Sequence, residues 1–324
     1  MVGIVTAAFG CDNVSFGGMS ITLEGPPRDS SAAQSEGASS TTETGPERIE
    51  YGPLLYAGIR QGDSALVVPV AELVEGQLRP FPDGAAGIQL STQIREERMI
   101  PGRRLVLFHQ GARVGTFTIS TPSEDVGVYC SPRPQAVGPM ELSPSASAAE
   151  RFLAVDENMG EVEPYGRFQS FVPESRHRTV IQNLAGEALN ELRAQWPAVA
   201  LQNIRQDLQV FRPGTDEDPS VVGTFLYQDQ MTVSPAPDPA YSLLIIGAPT
   251  ANRFSRVYTW YRRVADDGKG APRFFSKMDW DGDGDEELLL EVLGAESRWW
   301  AALDREGGVW SMVFQEPCGT PMAS

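Results

Sequence analysis

The chain has few of the residues on which most enzyme chemistry is built. Its 324 residues include two histidines, His109 and His177, and three cysteines, Cys11, Cys130 and Cys318. No Cys-x-x-Cys pair or Cys/His cluster occurs, which argues against structural zinc and dithiol redox chemistry. Gly-x-Ser-x-Gly, His-Glu-x-x-His, a Gly-rich phosphate loop and a dinucleotide fingerprint are also missing. Lysine is confined to Lys269 and Lys277, and 43 acidic against 26 basic residues give a net charge of −17. Such a surface repels phosphate backbones, whose capture depends on basic residues displacing counterions, so nucleic acid is set aside as a partner. Direct adhesion to anionic lipid is disfavoured for the same reason, because those headgroups attract polybasic segments. No apolar run approaches the roughly 20 residues that a spanning helix needs.

What is present has the balance of a soluble globular chain, 41% hydrophobic and 21% charged, with length enough for two ordinary domains. The N-terminus reads Met1-Val-Gly-Ile-Val-Thr-Ala-Ala-Phe-Gly10-Cys11-Asp12. Small residues at Ala8 and Gly10 before a cysteine resemble the lipobox of bacterial lipoproteins. That resemblance implies lipidation at Cys11, a signal-like segment over 1–26 and a lipid anchor in place of a transmembrane helix. Asp12 is similar to the signal that retains such proteins at the inner membrane, on its periplasmic face. The other reading is a loose terminus with an unmodified cysteine. Residues 27–48 are rich in Ser, Thr, Gly and Glu, bury almost nothing and read as a flexible linker. Setting Cys11 aside leaves Cys130 and Cys318, a pair that export would allow to form a disulfide; two separate thiols are the alternative.

From 49 to 135 the signals are short β-branched or aromatic runs such as Ala65–Val70, Arg104–His109 and Val114–Ser120, separated by Gly and Pro. They predict a small β-sandwich or barrel. Residues 136–150, with Pro and Ser, read as a linker to a second domain over 151–318, followed by a tail at 319–324. In that domain Val180, Ile181, Leu184, Ala188 and Leu192 share one helical face, with Ser175 as the N-cap and Trp196-Pro197 as the stop. Eight strands follow between 207 and 315 with short connections, which predicts an antiparallel sheet with the helix on one face. The fold class is α+β, mostly β.

The most specific motif is Asp279-Trp-Asp281-Gly-Asp283-Gly284-Asp285-Glu286-Glu287, leading into Leu288-Leu-Leu290. Carboxylates at alternate positions converge when a tight turn curls the chain, and Gly284 permits that turn. Calcium takes six to eight oxygen ligands in flexible geometry, which fits this pattern. The nine-residue loop resembles those of integrin-type β-propellers and FG-GAP or VCBS repeats, over Phe275 to Leu293. The resemblance implies side-chain ligands from Asp279, Asp281, Asp283 and Glu287, and a backbone oxygen from Asp285. Only one copy is present, so the loop and not the propeller is carried over. An EF-hand is not indicated, because position 12 is Leu290 and strands flank the loop.

His109 falls in a predicted strand and His177 lies between Arg176 and Arg178, so each reads as a structural residue and not as a base. Acidic pairs such as Asp156/Glu157 read as solvated surface. Tyr258, Trp260, Trp299 and Trp300 are candidates for an interface, with core packing as the competing assignment. The expectation is a non-catalytic extrinsic subunit of an integral membrane complex (respiratory, transport or photosynthetic), stiffened by calcium. A free periplasmic binder, with carbohydrate as one ligand class, is the alternative, and a carboxylate hydrolase is a third.

Overall fold

The computed structural model describes residues 14–16, 19–21, 48–124, 128–157, 168–214, 217–251 and 253–319. Cys11, with its predicted lipidation, and most of the predicted linker lie outside them. The chain divides into two compact units, Met1–Arg48 and Ile49–Ser324. In the first, β1 (Val14–Phe16) and β2 (Met19–Ile21) pair antiparallel.

The second unit begins with a closed barrel. Its strands are β3 (Leu54–Gln61), β4 (Ser64–Val74), β6 (Arg104–His109), β7 (Ala112–Thr118), β9 (Gln135–Leu142) and β10 (Arg151–Asp156), with short β5 (Gln77–Arg79) and β8 (Thr121–Ser123) added at the margins. The order is β4-β3-β10-β6-β7-β9, and an antiparallel β4–β9 pairing closes the ring. Period-two alternation sends Leu54, Tyr56, Leu105, Leu107, Phe152 and Ala154 inward, where α1 (Gly84–Glu97) contributes Leu90 and Ile94 to the same core. The alternate residues, Leu55, Ala57, Val106, Phe108, Leu153 and Val155, form an apolar outer wall.

Two four-stranded antiparallel meanders follow: β11 (Arg205–Phe211), β12 (Ser220–Tyr227), β13 (Tyr241–Pro249) and β14 (Phe254–Arg263), then β15 (Ala271–Met278), β16 (Glu287–Leu293), β17 (Arg298–Glu306) and β18 (Val309–Gln315). Short helices α3 (Leu201–Ile204) and α4 (Val264–Asp267) flank the first. The faces show how these parts stack. Helix α2 (Ser175–Glu191) places Ile181, Leu184, Ala185, Ala188 and Leu189 against one side of the first meander. The other side meets the second meander through Val222, Leu244, Ile246, Leu288, Leu290 and Leu303. The second meander's far face, with Phe275, Trp280, Leu289, Trp300 and Phe314, covers the barrel wall. The order of layers is therefore helix, sheet, sheet, barrel. Among the described residues, no helix is long and apolar enough to cross a membrane.

Several details differ from the sequence expectations. The predicted linker 136–150 carries β9 and a 3-10 turn at Pro144–Ala146, with Ala136 and Ala146 buried in the barrel core. Gly138 and Pro139 disguise this strand. Helix α1 is short of apolar residues, burying only Gly87, Leu90 and Ile94, so its stripe is narrow. The eight later strands form two sheets and not one. The N-cap of α2 is Glu174, whose backbone N–H donates to His177 Nδ1 at 3.0 Å, and Leu192 is exposed at the helix end.

The seam between barrel and meanders is covalently held. Cys130 and Cys318 form a disulfide with Cα atoms 6.1 Å apart. Beside it, fully buried Arg133 pairs with Glu316 and donates to the carbonyls of Pro69 and Val70, both at 2.5 Å.

Candidate metal site

The Asp279–Glu287 loop joins β15 to β16, and its own carboxylates wind it. Asp279 Oδ1 accepts the Gly282 N–H at 2.6 Å, and Oδ2 accepts that of Gly284 at 2.9 Å. Asp281 accepts from Asp283 N–H at 3.0 Å, and Asp283 from Asp285 N–H at 2.8 Å. Gly284 sits at φ +98°, a conformation that side chains resist. The result brings carboxylate oxygens of Asp279, Asp281, Asp283 and Glu287 within 4.8 Å of one another, a cluster able to hold a metal ion.

Burial sharpens the electrostatic problem. Asp279 and Glu287 are 2% and 1% exposed. Glu287 Oε2 accepts the Trp280 N–H at 2.9 Å, while Oε1 is buried and no donor among the described residues reaches it. Burial, with Asp281 and Asp279 adding to it, pushes the Glu287 carboxyl up to about 9, against the lowering effect of its backbone hydrogen bonds. Burial also raises Asp281; the Asp283 backbone N–H opposes this, and the charges of Asp283, Asp279 and Asp304 reinforce it. A buried, unpaired carboxylate is costly, and a cation placed among these oxygens would supply the missing partner.

Asp285 stands apart from the four. Its Oδ1 accepts from Arg305 Nη2 at 2.7 Å, and Arg305 also grips Glu217 with two hydrogen bonds, one of them 2.5 Å. Arg305 thereby ties the loop to the β11–β12 connection. The barrel touches the loop from the other side. Gly76, at φ +77° in the β4–β5 turn, packs so closely that a Cβ there would lie 2.5 Å from Asp281 Cβ. The Gly111 N–H in the β6–β7 turn donates to Lys277 O at 3.0 Å, next to a buried Lys277–Glu286 ion pair. Sequence reading missed both Arg305 and Glu217; nothing local marks either as a clamp.

The histidines have structural environments. His109 contacts the Arg151 carbonyl through Nδ1 at 2.8 Å, and burial pushes it down to about 4. His177 is lowered by burial and then by Arg176. It lines a cleft of about 530 Å³ with Phe171, Asp218, Pro219 and Phe254. The aromatic candidates require a correction. Trp260, Trp299 and Trp300 are 6%, 3% and 0% exposed, and half-buried Tyr258 packs on the core between the meanders. A register shift in β14 after Arg256 puts Phe254 on the helix side and Tyr258 on the other, so these two rings do not share a face. No protein family, curated protein or solved structure matches the chain.

Proposed function

We propose that this chain is a non-catalytic extrinsic subunit on the periplasmic face of a bacterial inner membrane. Lipid on Cys11 anchors it, and calcium in the Asp279–Glu287 loop stiffens it as a scaffold for an integral membrane complex. The observation that carries the calcium reading is the buried, unpartnered Oε1 of Glu287 within a cluster of four carboxylates. Oxygen-only donors suit a hard cation. Four carboxylates exceed the one or two that magnesium usually takes, since it keeps several waters. With its carboxylate held by Arg305, Asp285 would offer its backbone carbonyl. A disulfide linking 130 to 318 supports export, because such bonds persist in oxidising compartments.

The scaffold reading draws on a fold whose polar clamps and titratable groups serve structure. The alternative, a free periplasmic binder, is favoured by the cleft beside His177 and not by the tryptophans, which are core. Gentle detergent extraction followed by native electrophoresis and mass spectrometry separates the two. Co-migration with integral membrane subunits is expected; a lone monomer would overturn the scaffold reading and turn attention to the cleft.

A further inference from the structure

Strand register places one more carboxylate beside the loop. Leu288 pairs with Leu303, and both point into the core between the meanders. Their neighbours Glu287 and Asp304 therefore face the opposite side of the sheet, the side that carries Leu289, Trp300 and Ala302 toward the barrel. Asp304 thus stands across the strands from Glu287, one step beyond the paired ladder. Like charges placed opposite one another in a sheet are destabilising without compensation.

Asp304 has one oxygen to spare. Oδ1 accepts the Arg305 backbone N–H, and among the described residues no hydrogen bond engages Oδ2. Asp304 does not belong to the four residues whose oxygens converge, so direct ligation is not its place. The four side chains and the Asp285 carbonyl make five donors when each carboxylate binds through one oxygen, and calcium takes six to eight. Water fills the remainder, as it often does at one ligand position of an EF-hand.

We propose that Asp304, outside the nine-residue loop, is a positioning residue for the metal: its free oxygen holds a water on the ion and adds a fifth negative charge to the site. The inference rests on the calcium reading, which has independent support in the buried, unpartnered Glu287 Oε1.

The test is calcium titration calorimetry on the full chain, with thermal unfolding in excess chelator alongside. Asp304→Asn keeps the side chain's volume and its hydrogen bond to Arg305 N–H, so the fold is retained. It should weaken calcium binding about tenfold, as loss of an outer-shell partner does. The midpoint in chelator should stay the same or rise, because one negative charge is removed from the neighbourhood of the carboxylate cluster. Asp63→Asn, on the exposed β3–β4 turn, should change neither. Unchanged calcium affinity in Asp304→Asn would overturn the inference, and so would equal destabilisation with and without calcium, which marks a merely structural residue. If the unmodified chain takes up no calcium at all, the calcium reading itself falls, an outcome distinct from the other two.

Discussion

Glu287 concentrates the chemistry of this molecule at a single side chain. In the absence of a cation it is a nearly inaccessible carboxyl with one oxygen lacking a donor, among three other carboxylates. Two opposite substitution effects follow. Asp281→Ala removes a ligand and a repulsive charge together. It should abolish the calcium-dependent rise in melting point while leaving the chelator midpoint unchanged or higher. With calcium at 100 times its dissociation constant, the stabilisation lost is about 2.7 kcal/mol. Thermal unfolding with calcium and with chelator measures both quantities; a calcium response that persists in the variant would remove Asp281 from the site. His109 gives a pH signature of its own. Its folded value of about 4 lies below the ordinary 6.5, so between these the unfolded chain holds the extra proton. Stability should therefore fall as pH drops through that window, by on the order of 3 kcal/mol when complete. His109→Gln should flatten that part of the urea-melt profile; an unchanged slope would assign it to the carboxylates.

At the scale of elements, Arg305 joins the β17–β18 hairpin to two loops. The partners Glu217 and Asp285 are partly exposed, so the clamp is screened, and Arg305→Met should cost about 1 kcal/mol in urea melts. Its larger effect belongs to the metal: with Asp285 released, calcium affinity should drop several-fold in the same calorimetric titration. An affinity equal to that of the parent chain would make the clamp irrelevant to the loop. The carboxylate cluster was legible because its four residues fall within nine positions, at the alternate spacing that one tight turn brings together. Most strands were legible for a comparable reason. Leu288-Leu-Leu290 and Leu105-Val-Leu-Phe108 are unbroken apolar runs because both faces are buried, even positions in one layer and odd in the next. What escaped is non-local. Arg305, Glu217 and Asp304 matter through contacts made by folding, and β9 hides behind Gly138 and Pro139. The tryptophans read as core more readily than as anchors, and burial, not residue type, separates the two.

Over the whole molecule, the loop lies where three parts meet. Trp280 packs into the wall shared by barrel and second meander, Gly76 presses on Asp281, Gly111 reaches Lys277, and Arg305 reaches across to Glu217. The disulfide and the Arg133–Glu316 pair hold the same seam elsewhere. Removing the disulfide with Cys130→Ser and Cys318→Ser should cost about 2–5 kcal/mol, measured by denaturant melts. An unaltered midpoint would mean that packing alone secures the seam.

Calcium should then act at a distance from its ligands. An ion that fixes Asp281 and Glu287 also fixes the surface on which the β4–β5 and β6–β7 turns rest, so local opening of those turns becomes linked to release of the ion. Hydrogen–deuterium exchange on the intact chain tests this. With calcium at 100 times its dissociation constant, amides around 75–78 and 109–112 should exchange more slowly than in chelator. Where opening requires loss of the ion, the factor approaches about 100. Helix α2 lies on the far side of the first meander, and its core amides should exchange at the same rate in both conditions. Protection confined to 279–287 would show the loop to be a local staple. Protection spreading into the barrel turns would show that one ion governs how firmly the barrel is seated on the sheets, which is the property a scaffold requires.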